Sequence, residues 1–360
     1  MSQIDELLPR MLIAKPLSTQ TRTLFIGAFG FEARSLAWLE MQAKNDARLP
    51  NLKALLFRYP HSKTTKAALR APKLLRSLGA TVINRVECDH TNPRTFEEEF
   101  DQKRLLDFTS NIDEVVVDIS GMTKFLMLSL LIRLSEFSGR LRIVYAEAQS
   151  YGPTEQQFIK HRDDIKIIAG FPSIGASDVC SLPSLASVRM QGQPVSLIAF
   201  LSFNEQLIRH LIGSVSPHRL IAINGLPPRS QNVWREKGTR DIHQTLIDEY
   251  AHENPFESNG RLANTVSTLE FSQTVFMLES LYAKYGFADR IIVGATGSKM
   301  QTVGLAFFKL MRPDIHIDYP MPNSYYPQGF GSGLRELWEI NIPSYRAFAA
   351  ELGAWELGNP

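Results

Sequence analysis

The chain has 360 residues, enough for two domains, and its 44% hydrophobic content supplies ample core. A formal net charge of +2 is too mild to mark a nucleic-acid-binding surface by charge alone, though it permits a local basic pocket. Two cysteines far apart, Cys88 and Cys180, form no disulfide framework and no CxxC motif. The opening "MSQIDELLPR" lacks the basic-then-apolar order of a signal peptide, and the apolar run Phe125 to Ile132 stops at Arg133, short of a membrane span. A cytoplasmic protein is expected, with no membrane partner.

In chain order, "TRTLFIGAF" predicts a strand and "EARSLAWLEMQA" a helix. "LKALLFRY" predicts a second strand, followed by a helix over "KTTKAALRAPKLLRSLG". "ATVINRVEC" is a third strand, and "PRTFEEEFDQKRLLDFT" reads as one helix. "IDEVVVDIS" is a fourth strand, "KFLMLSLLIRLSEF" its helix and "LRIVYAEA" a fifth strand. Alternating βα units with Val- and Ile-rich strands predict a parallel, Rossmann-like sheet covered on both faces, with ligands at the carboxyl ends of its strands. The segment "GFPSIGASDVCSLPSLASVRMQGQP", rich in Gly, Pro and Ser, reads as a connection containing at most a short strand.

After that connection the pattern restarts. "FIGAFGFEARSL" at Phe25 and "LIAFLSFNEQLI" at Leu197 lie 172 residues apart; Gly121 and Gly297 lie 176 apart; "YAEAQSYGP" at Tyr145 and "YPMPNSYYP" at Tyr319 lie 174 apart. Three ordered pairs at nearly constant offset predict an α/β protein of two tandem Rossmann-like domains related by internal duplication, with a pseudo-two-fold axis. The expected boundaries are 1–170 and 195–360, joined by a linker over 171–194. So long a period means duplicated domains, not stacked short repeats.

The candidate site residues gather at the strand ends. "VVVDISGMTKF" and "IIVGATGSKMQ" each run from a strand through a glycine turn into a helix. Such a turn offers free backbone N–H groups and the positive end of a helix dipole to an anion, and glycine permits close approach. Ser120, Gly121, Met122, Thr123 and Lys124 form the first corner; Thr296, Gly297, Ser298 and Lys299 form the second. The alternative at each is an ordinary Gly-containing turn with a Ser or Thr cap. Neither turn is a GxxxxGK[ST] loop, and no GxGxxG follows the first strand, which disfavours an ordinary P-loop NTPase or a dinucleotide dehydrogenase.

The first strand of each half ends on the same rim. Phe29, Phe31, Ser202 and Phe203 can pack beside a base, and Glu32, Arg34, Asn204 and Glu205 can hydrogen-bond a base or ribose. Tyr151 and Tyr325 follow the fifth strands. Asn224 and Arg229 follow the second strand of the second half, opposite Arg58, His61 and Lys63 in the first. Asp118 suits a metal ligand, a base or a structural hydrogen bond. The histidines form no HExxH and no Cys/His cluster, with His243 and His252 loosely spaced, and there is no Gly-x-Ser-x-Gly elbow. No metal or cofactor is expected.

A strand followed by Ser120-Gly121-Met122-Thr123-Lys124 and a helix resembles the ligand-binding turn of the CARF superfamily, commonly of Thr-Gly-Gly-Thr-Lys type, with Met122 in place of the second glycine. Thr296-Gly297-Ser298-Lys299 is a shorter match. The related SAVED domain is similar to two CARF units in one chain. The resemblance implies a sensor that binds a nucleotide, such as a cyclic oligonucleotide, in a bacterial antiviral defence system. In that reading both corners face one cleft, and the signal passes to a separate effector protein. It also admits a ring-nuclease-like phosphodiesterase, metal-independent, with Lys124 stabilising developing charge during in-line attack by a ribose 2′-hydroxyl. A third reading is a non-catalytic assembly subunit. Nothing in the sequence argues for DNA or RNA duplex binding.

Overall fold

The computed structural model describes residues 3–45, 48–60, 65–89, 92–161, 173–250, 260–326 and 330–355. In chain order the elements are α1 (Gln3–Leu7), β1 (Met11–Ile13), β2 (Thr23–Ala28), α2 (Ala37–Lys44), β3 (Leu52–Arg58), α3 (Lys66–Ser77), β4 (Val82–Glu87), α4 (Pro93–Glu99), α5 (Gln102–Phe108), β5 (Glu114–Asp118), α6 (Lys124–Arg133), β6 (Arg140–Ser150) and α7 (Glu155–Lys160). They continue with β7 (Ser173–Ile174), β8 (Asp178–Ser181), β9 (Val195–Phe200), α8 (Glu205–Val215), β10 (Arg219–Leu226), α9 (Trp234–Tyr250), β11 (Thr265–Ser267), α10 (Phe271–Tyr285), β12 (Arg290–Gly294), α11 (Lys299–Met311), β13 (His316–Met321), β14 (Ser324–Tyr325), β15 (Ser332–Ile342) and α12 (Tyr345–Gly353).

The α/β class holds, but the chain divides elsewhere than its repeat suggests. The first compact unit is Glu6–Tyr151 with Gly331–Glu351; the second is Gly152–Phe330 with Met1–Asp5 and Leu352–Pro360. The expected boundaries, 1–170 and 195–360, are therefore corrected twice. Segment 171–194 is more than a linker: β8 pairs antiparallel with β13, and β7 with β14. In turn β15, expected in the second domain, pairs antiparallel with β6 and β1 in the first unit's sheet. Buried polar links hold it there. Trp338 Nε1 donates to Glu147 Oε2 at 2.9 Å, and Arg142 forms an ion pair with Glu339. Partners this far apart in sequence leave no trace in local periodicity.

The first unit's sheet has the order β1-β15-β6-β5-β2-β3-β4, and the second's β11-β10-β9-β12-β13-β8. In each, five strands run parallel, with β2 or β9 at their centre, and an antiparallel strand, β15 or β8, flanks the last of them. The central strands are continuous apolar runs because helices cover both faces: β2 and β5 are buried throughout. Helix α6 is buried nearly all round, as its sequence KFLMLSLLIR demands. Connections leave the first and fourth strands in opposite directions, so the carboxyl ends of β2 and β5, and of β9 and β12, flank a topological switch point, the usual ligand position in such sheets.

Two local expectations change. "PRTFEEEFDQKRLLDFT" makes two helices, because the Asp101 side chain accepts from the Arg104 N–H at 2.8 Å and caps a fresh start for α5. The helix expected from Glu32 begins as a short 3₁₀ turn, Ala33–Leu36. No helix among the described residues is long and apolar enough to cross a membrane.

Candidate functional site

In the first unit, β5 ends at Asp118, whose carboxylate accepts from the Ser120 N–H at 2.9 Å and tightens the turn. This is the structural role among the three open to Asp118. Ser120 is wholly buried; its Oγ accepts from the Ala146 N–H of β6 at 2.9 Å. Gly121 is required by packing, since a Cβ there would overlap the Ala28 carbonyl oxygen at the end of β2. Met122 is buried and its N–H donates to the Ile119 carbonyl at 3.1 Å. Ser120, Gly121 and Met122 thus build the corner rather than line it.

Thr123 and Lys124 differ from them. Thr123 is the N-cap residue of α6, and its N–H donates to Tyr59 Oη at 2.9 Å. Its Oγ1 is buried, makes no cap bond and has no partner among the described residues. Lys124 is half-buried, and burial pulls its ammonium down to about 8 from an ordinary 10.5. No carboxylate among the described residues pairs with it.

Glu32 and Arg34, expected to reach a base or ribose, are buried and engaged with each other: Arg34 Nη2 to Glu32 Oε1 is 2.6 Å, and Nε to the same oxygen 3.1 Å. Arg34 Nη1 also donates to the Ala146 carbonyl, and the guanidinium lies 5.6 Å from the Tyr145 ring centroid. Tyr151 Oη accepts from the Ala148 N–H at 3.2 Å and sits 3.3 Å from Tyr145 Oη. Ala146 and Tyr145 thereby gather Ser120, Arg34 and Tyr151 at one strand end. Phe29 is a core residue beside Phe25, not a stacking surface, whereas Phe31 is exposed. Arg58 Nη1 lies 4.0 Å from Glu87 Oε1. His61, Lys63 and His252 lie outside the described residues.

The second unit's corner closes on itself. Thr296 Oγ1 donates to the Phe200 carbonyl at 2.7 Å and accepts from its N–H at 3.0 Å, stitching β12 to the end of β9. Ser298 and Gln301 form a full capping box: Ser298 N–H to Gln301 Oε1 is 2.7 Å, and Gln301 N–H to Ser298 Oγ is 3.1 Å. Ser298 Oγ also donates to the Thr268 carbonyl at 2.7 Å. At Gly297 a Cβ would meet Gln301 Oε1 at 2.6 Å. Lys299 opens α11, half-buried.

The remaining candidates of that unit hold structure. Asn224 is wholly buried; its Nδ2 donates to the Glu236 carbonyl and carboxylate at 2.8 and 2.9 Å, and its Oδ1 accepts from Thr239 Oγ1 at 2.8 Å. Asn204 Nδ2 donates to Ser173 Oγ and the Gly175 carbonyl, both at 3.0 Å. The Ser202 carbonyl accepts from His243 Nε2 at 2.8 Å, which fixes the Nε2–H tautomer because a carbonyl only accepts. Burial drives His243 down to about 4, so it is neutral near pH 7. Phe203 packs with Phe158 and Trp234, and the Arg235 guanidinium covers it at 4.6 Å. Glu205 pairs with Arg209 at 2.6 Å. Arg229, half-buried, lies just past β10. Tyr325 Oη is 3.4 Å from Tyr319 Oη, the same i, i+6 tyrosine pair as Tyr145 and Tyr151.

Sequence reasoning missed Tyr59, Gln301 and Glu236. Gln301 carried a readable signal, since Ser298-x-x-Gln301 is the capping-box spacing and Thr123-x-x-Leu126 is not. Among the described residues no group of three or more His, Cys, Asp or Glu is placed to hold a metal ion.

No protein-family model matches the sequence, and no curated protein matches it. Among solved structures, the chain is similar to a predicted O-methyltransferase, Atu636 from Agrobacterium tumefaciens, at 13% identity over 46% of this chain and 67% of that one, with a TM-score of 0.22. A universal stress protein from Archaeoglobus fulgidus DSM 4304 is similar at 9% identity over 83% and 96% of the two chains, with a TM-score of 0.23. Superpositions this loose carry no argument about activity.

Proposed function

We propose that this chain is a nucleotide sensor whose first unit holds a phosphate group of its ligand at the carboxyl ends of β2 and β5. The observation that supports this is Lys124. A half-buried ammonium with no carboxylate paired to it among the described residues destabilises the fold unless an anion joins it. It stands at the first residue of a ten-residue helix whose N-cap hydroxyl, Thr123 Oγ1, caps nothing. Helix dipole and cation favour the same ligand charge. A charge-assisted hydrogen bond contributes roughly 1.5–3 kcal/mol and the helix end up to about 1 kcal/mol, so further contacts from the ligand's sugar or base are needed to reach the ~8 kcal/mol of a micromolar complex.

The second unit's turn satisfies its own donors, so the phosphate belongs to the first unit in this reading. The resemblance to CARF-like turns suggests a cyclic oligonucleotide signal in antiviral defence, relayed to a separate effector. Titration calorimetry of the purified chain with cyclic tri-, tetra- and hexaadenylate, and with inorganic phosphate as the minimal probe, tests it. Saturable binding that weakens roughly 10- to 150-fold in Lys124→Met supports the proposal. Heats that are absent for every probe, or unchanged in the variant, refute it. Chromatography of the same mixtures separates a sensor, which returns the intact ring, from a phosphodiesterase, which releases linear products.

A further inference from the structure

Burial pulls both Lys124 and Lys309 down to about 8 from an ordinary 10.5, yet their surroundings differ. Lys309 Nζ donates to the Pro313 carbonyl at 2.9 Å and to the Ile315 carbonyl at 2.6 Å, so the fold holds it as a donor. Lys124 opens α6 with no acceptor or carboxylate among the described residues engaging it. It is half-buried, not sealed, so part of it meets solvent. The charged side chains gathered at this strand end are engaged elsewhere: Asp118 accepts from the Ser120 N–H, and Glu32 and Arg34 pair with each other.

A cation at the positive end of a helix is disfavoured, and an anion there is favoured. Lys124 is therefore easier to hold as an uncharged amine than a surface lysine is, and easier still as a negative group. At pH 8 about half of it is the free amine, against roughly 0.3% of a lysine at the ordinary 10.5. A desolvated amine with an unengaged lone pair is a nucleophile. Carbon dioxide is the small, apolar electrophile that turns such an amine into an anion in one step with no leaving group. The adjoining Thr123 hydroxyl, without a partner among the described residues, supplies a donor for that anion.

We propose that Lys124 is a carbamylation site, taking up dissolved carbon dioxide at the amino end of α6. The uncharged Nζ attacks the carbon of carbon dioxide. An N–C bond forms, one C–O π pair moves onto oxygen, and an Nζ proton passes to solvent. The product is N–COO⁻, with nothing oxidised or reduced. The side chain then carries a negative charge, so a carbamate and a ligand phosphate exclude each other at this corner, and carbon dioxide sets how much of the chain can bind. That consequence rests on the first unit being a phosphate site; the carbamate itself does not.

Chemical trapping measures it. The whole chain is equilibrated with isotopically labelled bicarbonate at pH 8, carbamates are fixed as ethyl esters with triethyloxonium, and peptides are read by mass spectrometry. Label at Lys124 exceeds that at exposed lysines about tenfold or more, and Lys309, whose Nζ is engaged, stays at their level. Lys124→Met, shown folded by its thermal melt, lacks the signal. The chain's α-amine, ordinarily near about 8, reacts in the same sample and shows that trapping worked. Label on the α-amine with none on Lys124 overturns the proposal, and so does equal label on Lys124 and the exposed lysines. Excess cyclic tetraadenylate lowers the label at Lys124 where the nucleotide reading holds; label that ignores it counts against that reading and leaves the carbamate standing.

Discussion

Substituting Lys124→Met separates a ligand-binding lysine from a structural one, because the two roles change stability in opposite directions. Met keeps the apolar stem and removes the ammonium. In the folded chain burial lowers Lys124 from 10.5 to about 8, and one pH unit corresponds to 1.36 kcal/mol. Taken whole, that shift is a penalty of about 3 kcal/mol; the side chain keeps partial access to water, so screening leaves about 1–2 kcal/mol. Below pH 8 both folded and unfolded chains hold the proton, and the native state carries the full penalty. Between 8 and 10.5 the unfolded chain binds more protons than the native one, so wild-type stability rises with pH. Lys124→Met is therefore more stable than wild type by about 1–2 kcal/mol at pH 7, and that advantage vanishes as pH approaches 10.5. Its nucleotide affinity falls roughly 10- to 150-fold, the loss of one charge-assisted hydrogen bond. Wild-type affinity likewise declines as pH rises through 8. Urea unfolding at pH 7 and pH 10, paired with calorimetry, reads both quantities. A variant less stable than wild type at pH 7 refutes the reasoning, as does a stability gain that ignores pH.

The two corners answer differently to loss of a hydroxyl. Ser298→Ala removes a capping box and costs about 1–2 kcal/mol in denaturant unfolding, whereas Thr123→Ala, whose hydroxyl caps nothing, stays within about 0.5 kcal/mol. Gly121→Ala forces a Cβ into the Ala28 carbonyl and costs about 2–3 kcal/mol or more, read as a lower Tm; Gly297→Ala costs less, because its Cβ meets side chains, Gln301 Oε1 at 2.6 Å and Phe200 Cγ at 3.0 Å, rather than backbone. His243 is held neutral to about 4 in the folded chain against 6.5 unfolded, so stability is full above 6.5 and falls by up to about 3 kcal/mol as pH drops through that window. Guanidinium unfolding from pH 4.5 to 7.5 shows that slope, and His243→Leu flattens it.

Much of the fold was legible in the sequence, and less of the site. The alternating βα runs, their restart near Leu197 and the two glycine turns followed from apolar periodicity and local turn chemistry, and they put Thr123 and Lys124 at a strand end. Most of the other candidates proved to be engaged. Arg34 and Glu32 sit two residues apart, a spacing equally suited to a ligand or to each other; the Ala146 carbonyl, 112 residues away, draws Arg34 inward. Asn224 reads as a rim amide until Glu236 and Thr239 take its hydrogen bonds.

What the sequence by itself determined was short-ranged: strand and helix periods, glycine where backbones crowd, and the Ser298-x-x-Gln301 cap set against the uncapped Thr123. Only the tertiary structure decided that β15 returns to the first unit's sheet, that β8 completes the second's, and that Lys124 is left without a paired carboxylate among the described residues. Those outcomes depend on which distant groups share one small volume, and spacing along a chain does not encode the satisfaction of hydrogen bonds and charges across hundreds of residues.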